Sequence, residues 1–234
     1  MPKNNPVLIF DLDETILSVN SFPYWVRYML FGWFGGLSMG KRMVLSRETA
    51  KVMMERKFQG GSHLTAKRKL QKLWQQAVVH DNRMRALARF NSGLYKKVRP
   101  QMKEVLQAVR DGRVDALLAT AAVSEYADHL AYLLGFQHVI TTPQASPRQL
   151  VENARERKRD NVIAFLEAQG WSDRPRIFFT DHMEDLPLIQ KSQLVLWFGK
   201  SSDMKKLGYE VPEIKLVNCQ PLSSSKLMEL VQNA

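Results

Sequence analysis

The chain has 234 residues, and 45% of them are apolar, which excludes wholesale disorder and leaves room for a large domain or a core domain plus an insertion. Its single cysteine, Cys219, excludes an internal disulfide framework and a cysteine-based structural zinc site, and it favours a reducing compartment. The net charge of +11 arises within residues 19–100, where 17 Lys and Arg accompany three acids, whereas the remainder holds 17 bases and 20 acids. This asymmetry predicts that residues 19–100 form a separate module.

The amino-terminal segment, MPKNNPVLIF, leads directly into the first predicted strand, Val7–Phe10. It lacks the cationic stretch, apolar run and small-residue cleavage site that mark a secretory signal. We therefore expect a cytoplasmic protein.

The strand Val7–Phe10 is an uninterrupted run of branched and aromatic residues, which is typical of a strand buried on both faces. It is followed at once by Asp11, Leu12, Asp13, Glu14 and Thr15. A spacing of two residues places Asp11 and Asp13 on one side of the extended chain. Because burying adjacent like charges is costly unless a cation or a substrate compensates, this strand end is a candidate functional site.

Residues 19–99 are predicted to be helical and to form a cap inserted after the first strand. Apolar residues recur near helical spacing between positions 64 and 78, with basic residues at the other positions. The core then comprises residues 1–18 and 100–234, joined to the cap by linkers near residues 17–23 and 95–100.

The basic residues of this cap include Lys67, Arg68, Lys69 and Lys72. They could bind nucleic acid, but no nucleic-acid motif accompanies them, and a solvated helical face is the commoner arrangement. We expect their positive charge to steer small anionic substrates toward the site.

The most apolar stretch of the chain is residues 22–39, FPYWVRYMLFGWFGGLSM. Arg27 and the pair Gly35-Gly36 interrupt it, which disfavours a membrane-spanning helix. Its aromatic residues either pack the cap and roof the site, or make peripheral contact with a membrane surface beside the basic cap.

Beyond residue 100, short apolar runs alternate with helical patterns. The predicted strands are residues 114–119, 139–142, Arg176–Thr180 and 194–198. The predicted helices are residues 101–111, Ser124–Leu134, 158–169 and 223–232. This alternation predicts an α/β fold with a Rossmann-like parallel sheet, helices on both faces and the inserted α-helical cap.

Polar residues follow several of these strands. Thr120 comes after the second strand, and Asp181 and Asp185 come after Arg176–Thr180. In parallel sheets, ligands bind beyond the carboxyl ends of the strands, where these residues would meet Asp11 and Asp13. The set suits a hard divalent cation held by oxygen ligands, with an anion bound beside it.

The DxDxT form of residues 11–15, Thr120 after a strand, a downstream lysine and the D-x-x-x-D-x-P pattern of residues 181–187 together resemble the haloacid dehalogenase superfamily. The likeness is to its phosphoserine-phosphatase-like branch, whose helical cap is inserted between the first and second motifs. It covers the chain from about residue 7 to residue 198 and implies a magnesium-dependent phosphatase acting on a phosphate monoester through an aspartyl-phosphate.

The resemblance also implies residue roles. Asp11 would be the nucleophile, and Asp13 would be the general acid and then the general base. Mg²⁺ would be bound by Asp11, by Asp13 through its backbone carbonyl, and by Asp181. Thr120 and the backbone N–H of Ala121 would hold phosphoryl oxygens.

Lys158, which lies 23 residues before Asp181, would bridge the nucleophile and the phosphate, although Arg155, Arg157 and Arg159 are neighbouring candidates. Asp185 would support the site from behind or cap the following helix. Where the family usually has Gly and Ser beside the metal-binding aspartate, this chain has Thr180 and His182. His182 would contact the substrate or a magnesium-bound water, or would simply fill the turn.

Other functions remain open at this point. A dehalogenase would need Asp11 but neither Asp13 nor a metal ion. A phosphatase of a phosphorylated lipid head group would use the apolar stretch 22–39 at a membrane. A non-catalytic protein that binds nucleic acid or membrane would leave the acidic set without a purpose. The substrate and the oligomeric state do not follow from the sequence, since Glu48 and Glu55 are ambiguous candidates for recognising an amino acid.

Overall fold

The computed structural model describes residues 5–32, 37–58, 60, 62–77, 80–143 and 152–233, with residues 80–82 described by their backbone alone. Within these ranges, six strands form one parallel sheet in the order β3-β2-β1-β4-β5-β6. They are β1 (Val7–Phe10), β2 (Asp115–Val123), β3 (His138–Thr142), β4 (Arg176–Thr180), β5 (Leu194–Trp197) and β6 (Lys215–Asn218).

Strand β1 lies between β2 and β4, and its alternate side chains face opposite layers of the core. Leu8 and Phe10 belong to one apolar cluster, whereas Val7 and Ile9 belong to the other. All four side chains are fully buried. The predicted strand with two buried faces and the predicted Rossmann-like sheet are therefore confirmed.

The helices of the described ranges are α1 (Ser21–Phe31), α2 (Met39–Phe58), α3 (His63–Ala77), α4 (His80–Tyr95), α5 (Lys103–Arg110), α6 (Ser124–Leu134), α7 (Arg155–Ala168), α8 (Leu186–Ile189), α9 (Ser201–Glu210) and α10 (Ser224–Gln232). Helices α5, α6 and α10 contribute to the cluster that contains Phe10, and helices α7, α8 and α9 to the one that contains Ile9. The sheet is thus covered by helices on both faces. No helix in the described part of the chain is long and apolar enough to cross a membrane.

Helices α1–α4, called the inserted helices below, lie between β1 and β2 in the chain. The two segments that connect this insertion to the rest of the chain, near residues 16–18 and 97–99, run beside each other. The backbone N–H of Ser18 donates to the Lys97 carbonyl at 2.8 Å, and that of Arg99 donates to the Ile16 carbonyl at 2.9 Å. These segments lie close to the predicted linkers, and the division into cap and core stays a prediction.

The inserted helices also pack against the core through aromatic side chains. Trp25 of α1 lies 5.6 Å from Tyr126 of α6 between ring centroids, and the Ser21 and Tyr126 hydroxyls are hydrogen-bonded at 2.8 Å. Trp74 of α3 lies 6.4 Å from Trp25. Within the apolar stretch 22–39, Phe22, Trp25, Val26 and Met29 are therefore buried, whereas Tyr24 and Phe31 are exposed. Residues 33–36 of this stretch, with the pair Gly35-Gly36, lie outside the described residues.

The structure corrects several predicted boundaries. Strand β2 continues through Thr120 to Val123 instead of ending before Thr120, and its register with β3 shifts between Ala119 and Val123. The small residues Ala121 and Ala122 do not end the strand. The backbone beside Thr120 departs from regular pairing because of this register shift, and not because the strand ends there. Helix α7 begins at Arg155, three residues before Lys158. Helix α9 and the half-exposed edge strand β6 were not predicted.

Candidate active site

A cavity of about 1060 Å³ opens at the carboxyl ends of β1, β2 and β4, between the sheet and the inserted helices. This is the position at which an open parallel sheet binds its ligands. The core side of the cavity is lined by residues that include Asp11, Asp13, Thr120, Ala121, Lys158, Asp181 and Asp185. The side of the inserted helices contributes Asn20, Phe22, His63 and Lys67. The residues predicted from sequence to form a site therefore share one cavity.

Asp11 is buried directly after β1, and its backbone N–H donates to the Phe179 carbonyl at 2.9 Å, which continues the ladder between β1 and β4. Its Oδ1 accepts a hydrogen bond from Lys158 Nζ at 2.8 Å. Burial raises the pKa of Asp11 to about 8; Lys158 opposes this rise, and the carboxylates of Asp185 and Asp181 add to it. Asp11 thus lies beside one cation, in a pocket where burial and two further carboxylates favour its protonated form.

Lys158 holds two carboxylates together. Its Nζ donates to Asp11 and also lies 2.9 Å from both oxygens of Asp185. Burial lowers the pKa of Lys158, but the charges of Asp11 and Asp185 outweigh burial and raise it, so the side chain stays protonated. Thr180 Oγ1 donates to Asp185 Oδ2 at 2.6 Å and fixes this carboxylate from the end of β4. Asp185 therefore orients Lys158 within the cavity wall.

Two of the three basic neighbours of Lys158 that were candidates for its role have other partners. Arg155 pairs with Glu184 at 2.7 Å on the surface, and Arg159 pairs with Asp160 at 2.7 Å. In the described part of the chain, Lys158 is the basic residue of α7 that contacts Asp11.

Asp13 lies in the turn that connects β1 to α1. Its Oδ1 accepts a hydrogen bond from the backbone N–H of Ser21 at 2.8 Å. Burial raises the pKa of Asp13, with Ser21 and the charge of Lys67 opposing it. The next residue, Glu14, has the left-handed backbone angle φ of 55°, which is uncommon for a residue other than glycine, and Arg99 Nη2 donates to its carbonyl at 2.8 Å. The turn is therefore held in the conformation that presents Asp13 to the cavity.

Asp181 follows β4, and Thr15 Oγ1 donates to its Oδ1 at 3.1 Å. This contact gives the threonine of the DxDxT pattern a physical function, because it ties the turn after β1 to the end of β4. Burial raises the pKa of Asp181 to about 6, with Glu14 and Asp185 acting in the same direction. The backbone of Asp181 also packs closely against Gly199, after β5.

No group of three His, Cys, Asp or Glu side chains in the described ranges is arranged to hold a metal ion. The implied ligands are two carboxylates, Asp11 and Asp181, and the backbone carbonyl of Asp13. Only two of these three ligands are side chains, so they do not form a group of three. Hard oxygen donors of this kind suit Mg²⁺, which keeps several waters and uses one or two protein carboxylates. Because burial raises the pKa of both carboxylates, a bound cation would relieve their charge. The residues therefore fit a magnesium ion.

Thr120 is 1% exposed, and its Oγ1 accepts a hydrogen bond from the backbone N–H of Ala122 at 3.1 Å. The Ala121 carbonyl accepts hydrogen bonds from Thr142 Oγ1 at 2.9 Å and from Lys67 Nζ at 3.0 Å. Asn153 Nδ2 donates to the Thr120 carbonyl at 3.0 Å. The irregular segment of β2 is thus held from three directions beside Asp11.

The sequence left Lys67 either on a solvated basic face or among charges that steer anions toward the site, and the structure does not place it on a solvated face. Lys67 is 4% exposed, and its Nζ contacts Ala121 and forms an ion pair with Glu152. The signal was present in the sequence, since Lys67, Leu70 and Trp74 recur at helical spacing on the buried face of α3.

Other predicted candidates have simpler roles. His182 Nδ1 accepts a hydrogen bond from the backbone N–H of Glu184 at 3.1 Å, so His182 caps the turn while it lines the cavity. Glu48 pairs with Arg47, and Glu55 pairs with Lys69, on the surface of the inserted helices. Neither Glu48 nor Glu55 is among the described residues that line the cavity.

Comparison with known structures shows the same fold in other proteins. A protein of unknown function from Bordetella pertussis Tohama I has a TM-score of 0.72 and 17% identity, with 92% of this chain and 99% of that chain covered. A probable phosphoserine phosphatase from Vibrio cholerae has a TM-score of 0.61 and 13% identity, with 98% and 65% covered. A phosphoserine phosphatase with a phospho-aspartyl intermediate analogue has a TM-score of 0.54 and 11% identity, with 97% and 99% covered. Identities this low establish a shared fold alone.

None of the curated proteins compared with the chain is significantly similar to it. The model of one protein family, described as haloacid dehalogenase-like hydrolase, matches residues 8–190, which include the turn after β1, Thr120, Lys158 and Asp181. The chain therefore belongs to the haloacid dehalogenase-like hydrolases.

Proposed function

We propose that this protein is a magnesium-dependent phosphatase that hydrolyses a phosphate monoester through an aspartyl-phosphate on Asp11. The observation that carries this proposal is the contact of 2.8 Å between Asp11 and Lys158 in a cavity that Asp13, Thr120 and Asp181 also line. This arrangement would place a nucleophile (Asp11), a proton donor (Asp13), a cation (Lys158) and a hydroxyl (Thr120) around the phosphate group of a substrate.

In the first step, a carboxylate oxygen of Asp11 attacks phosphorus, and the bond from phosphorus to the alcohol oxygen breaks. Asp13 gives its proton to the departing alcohol. Lys158 Nζ and Thr120 Oγ1 hold phosphoryl oxygens, so the charge of the transferring group is met by groups already in position. The product of this step is an aspartyl-phosphate.

In the second step, water attacks the phosphorus of the aspartyl-phosphate and gives a proton to Asp13. The bond between phosphorus and the Asp11 oxygen breaks, which releases inorganic phosphate and restores both carboxyl groups. Mg²⁺, held by Asp11, Asp181 and the Asp13 carbonyl, would offset the repulsion between the anionic nucleophile and the anionic phosphate. Dividing a very slow hydrolysis into two displacements is the advantage of a covalent route.

The size of the cavity and the position of Lys158 support a proposal for the substrate class. The volume of about 1060 Å³ accommodates a small metabolite, and although acids outnumber bases in the lining, Lys158 beside Asp11 and the bound cation would together offset the charge of a phosphate group there. We infer a small anionic phosphorylated substrate. Phosphoserine is an obvious compound to test, given the activity named for two of the similar structures. Since Glu48 and Glu55 lie outside the cavity lining, neither recognises an amino group there.

The proposal is tested by hydrolysis of an aryl phosphate in the presence of Mg²⁺ and after chelation. We expect turnover with Mg²⁺, its loss on chelation, and its recovery when Mg²⁺ is added back. Asp11→Asn should reduce kcat by about a thousandfold or more, because the amide cannot form the covalent intermediate. The matched control, Asp173→Asn, changes an exposed aspartate outside the cavity lining and should retain full activity.

Turnover that survives thorough chelation would refute the magnesium requirement. Activity of Asp11→Asn close to that of the wild type would refute the covalent route. A panel of phosphorylated metabolites, screened with the same wild-type protein, would then identify the substrate.

A further inference from the structure

Helix α2 exposes a face that combines apolar and basic side chains. The residues Met43, Arg47, Lys51, Met54 and Phe58 recur every three or four positions, so they lie along one side of the helix. We call them the outward face. All five are exposed, with Met43 at 67%, Met54 at 55% and Phe58 at 75%.

The outward face lies opposite the side of α2 that packs on the protein. The buried residues of this helix are Leu45, Thr49 and Val52, half a turn away from Met43 and Met54. Hence the exposed apolar groups are additional to those that attach α2 to the inserted helices. A helix that needs only to be solvated would carry polar residues there.

The charge of this region is one-sided. The residues of α2 include six bases and two acids, Glu48 and Glu55, and neither acid belongs to the outward face. Glu48 pairs with the neighbouring Arg47, and Glu55 pairs with Lys69 of α3. The exposed Phe31 at the end of α1 lies beside the start of this helix, because Arg42 Nη2 donates to the Phe31 carbonyl at 3.1 Å.

We propose that the outward face of α2 docks on the surface of an anionic lipid bilayer. Met43, Met54 and Phe58 enter the boundary between head groups and acyl chains, while Arg47 and Lys51 meet the anionic head groups. Apolar side chains next to cations on one helix face are the pattern that interfacial helices use. Each basic residue near an anionic surface adds to the binding, and the net charge of +14 in residues 19–100 adds a longer-range attraction.

The composition of the face argues against two other partners. A second copy packing face to face would bring Arg47 and Lys51 against the same bases of its partner, without an acid to pair with them. Nucleic acid would engage the cations but leave Met43, Met54 and Phe58 without apolar partners. An anionic bilayer satisfies both kinds of side chain. This inference does not depend on the chemistry of the cavity.

The test is sedimentation of the full-length protein with vesicles of phosphatidylcholine, alone or with about 30 mol% phosphatidylglycerol. We expect binding to the anionic vesicles that weakens as salt is raised, and little binding to the neutral ones. The pair of substitutions Arg47→Glu and Lys51→Glu should weaken binding by about tenfold or more. The pair Met54→Ser and Phe58→Ser should also weaken binding, and this loss should be about the same at low and at high salt.

Matched controls on α9 are Lys205→Glu for charge and Tyr209→Ser for an exposed apolar side chain, and both should bind as the wild type does. Thermal unfolding of every variant establishes that it is folded. The proposal is overturned if anionic vesicles do not bind the protein, or if the α2 variants bind as the controls do. Self-association that Met54→Ser and Phe58→Ser abolish, or binding to RNA in place of vesicles, would also overturn it.

Discussion

At the scale of single residues, the site depends on a buried cation that two carboxylates share. Lys158 is 2% exposed, and it would be unstable there without Asp11 and Asp185. Asp185 in turn accepts a hydrogen bond from the Thr180 hydroxyl. The position of Lys158 is therefore set by a series of contacts that begins at the end of β4. Thr180 therefore contributes to the position of Lys158 without contacting it, through one hydrogen bond to Asp185.

This chain of contacts leads to a prediction for Thr180→Val, which keeps the shape of the side chain and removes its hydroxyl. The buried Asp185 carboxylate then loses its hydrogen bond of 2.6 Å, and we expect the free energy of unfolding to fall by about 2 kcal/mol. Urea denaturation measures the loss. Thr141→Val is the matched control, since Thr141 donates to Asp128 at 2.9 Å on the exposed surface, and it should cost about 0.5 kcal/mol or less. Equal losses for the two variants would contradict the argument.

The same scale shows which site residues a sequence can reveal. Asp11, Asp13 and Asp181 are detectable because carboxylates directly after buried strands have few structural explanations. The burial of Lys67 was not predicted, because a lysine on a basic helix is usually solvated and its partners, Ala121 and Glu152, lie 54 and 85 positions away in the chain. The helical spacing of Lys67 with Leu70 and Trp74 indicates that Lys67 is buried, but the identity of its partners depends on how α3 packs on the core.

At the scale of elements, the site depends on how closely the segments after β4 and β5 approach each other. Gly199 follows β5, and a Cβ atom at this position would lie 1.9 Å from the Asp181 carbonyl oxygen. The lack of a side chain therefore allows the two segments to meet. The atom that a side chain at position 199 would meet belongs to the backbone of Asp181, so a change of side-chain rotamer cannot relieve the clash.

Gly199→Ala is accordingly expected to displace the backbone of Asp181. We expect a loss of about 2 kcal/mol in the free energy of unfolding, typical of overpacking, together with weaker binding of Mg²⁺. Gly208→Ala is the control, because a Cβ atom there would meet nothing within 4 Å inside α9. It should stabilise the protein by up to about 1 kcal/mol through helix propensity. Thermal unfolding with and without Mg²⁺ distinguishes the two, and a stable Gly199→Ala variant would refute the close approach.

Element prediction succeeded where one local signal dominated. Strands β1, β4 and β5 are runs of buried apolar residues, and α6 ends at Gly135, whose φ of 98° is accessible to glycine at little cost. Strand β6 was missed because its four residues, KLVN, are partly exposed at the edge of the sheet and carry no apolar run. Strand β2 was cut short because the alanines after Thr120 look like a turn, whereas pairing with β3 extends the strand.

At the scale of the whole molecule, the stability of the fold depends on pH through a residue at the edge of the sheet. This residue is the only cysteine of the chain. Cys219 follows β6, is fully buried, and its backbone N–H donates to the Trp197 carbonyl at 2.8 Å. Burial raises the pKa of its thiol to about 12 from an ordinary value of 9.0. The folded state therefore holds the proton of Cys219 at a pH at which the unfolded chain releases it.

This difference predicts a specific alkaline destabilisation. Between pH 9 and pH 12 the unfolded state binds fewer protons than the folded state, so the contribution of Cys219 to stability is intact below pH 9 and declines as the pH rises. We expect the wild type to lose about 1 kcal/mol more than Cys219→Ala between pH 8 and pH 10, as measured by urea denaturation. Other groups that titrate in this range are common to both proteins and cancel in the comparison. Parallel losses in the two proteins would mean that the thiol is as accessible to water in the folded state as in the unfolded state, and the packing of β6 against the core would have to be revised.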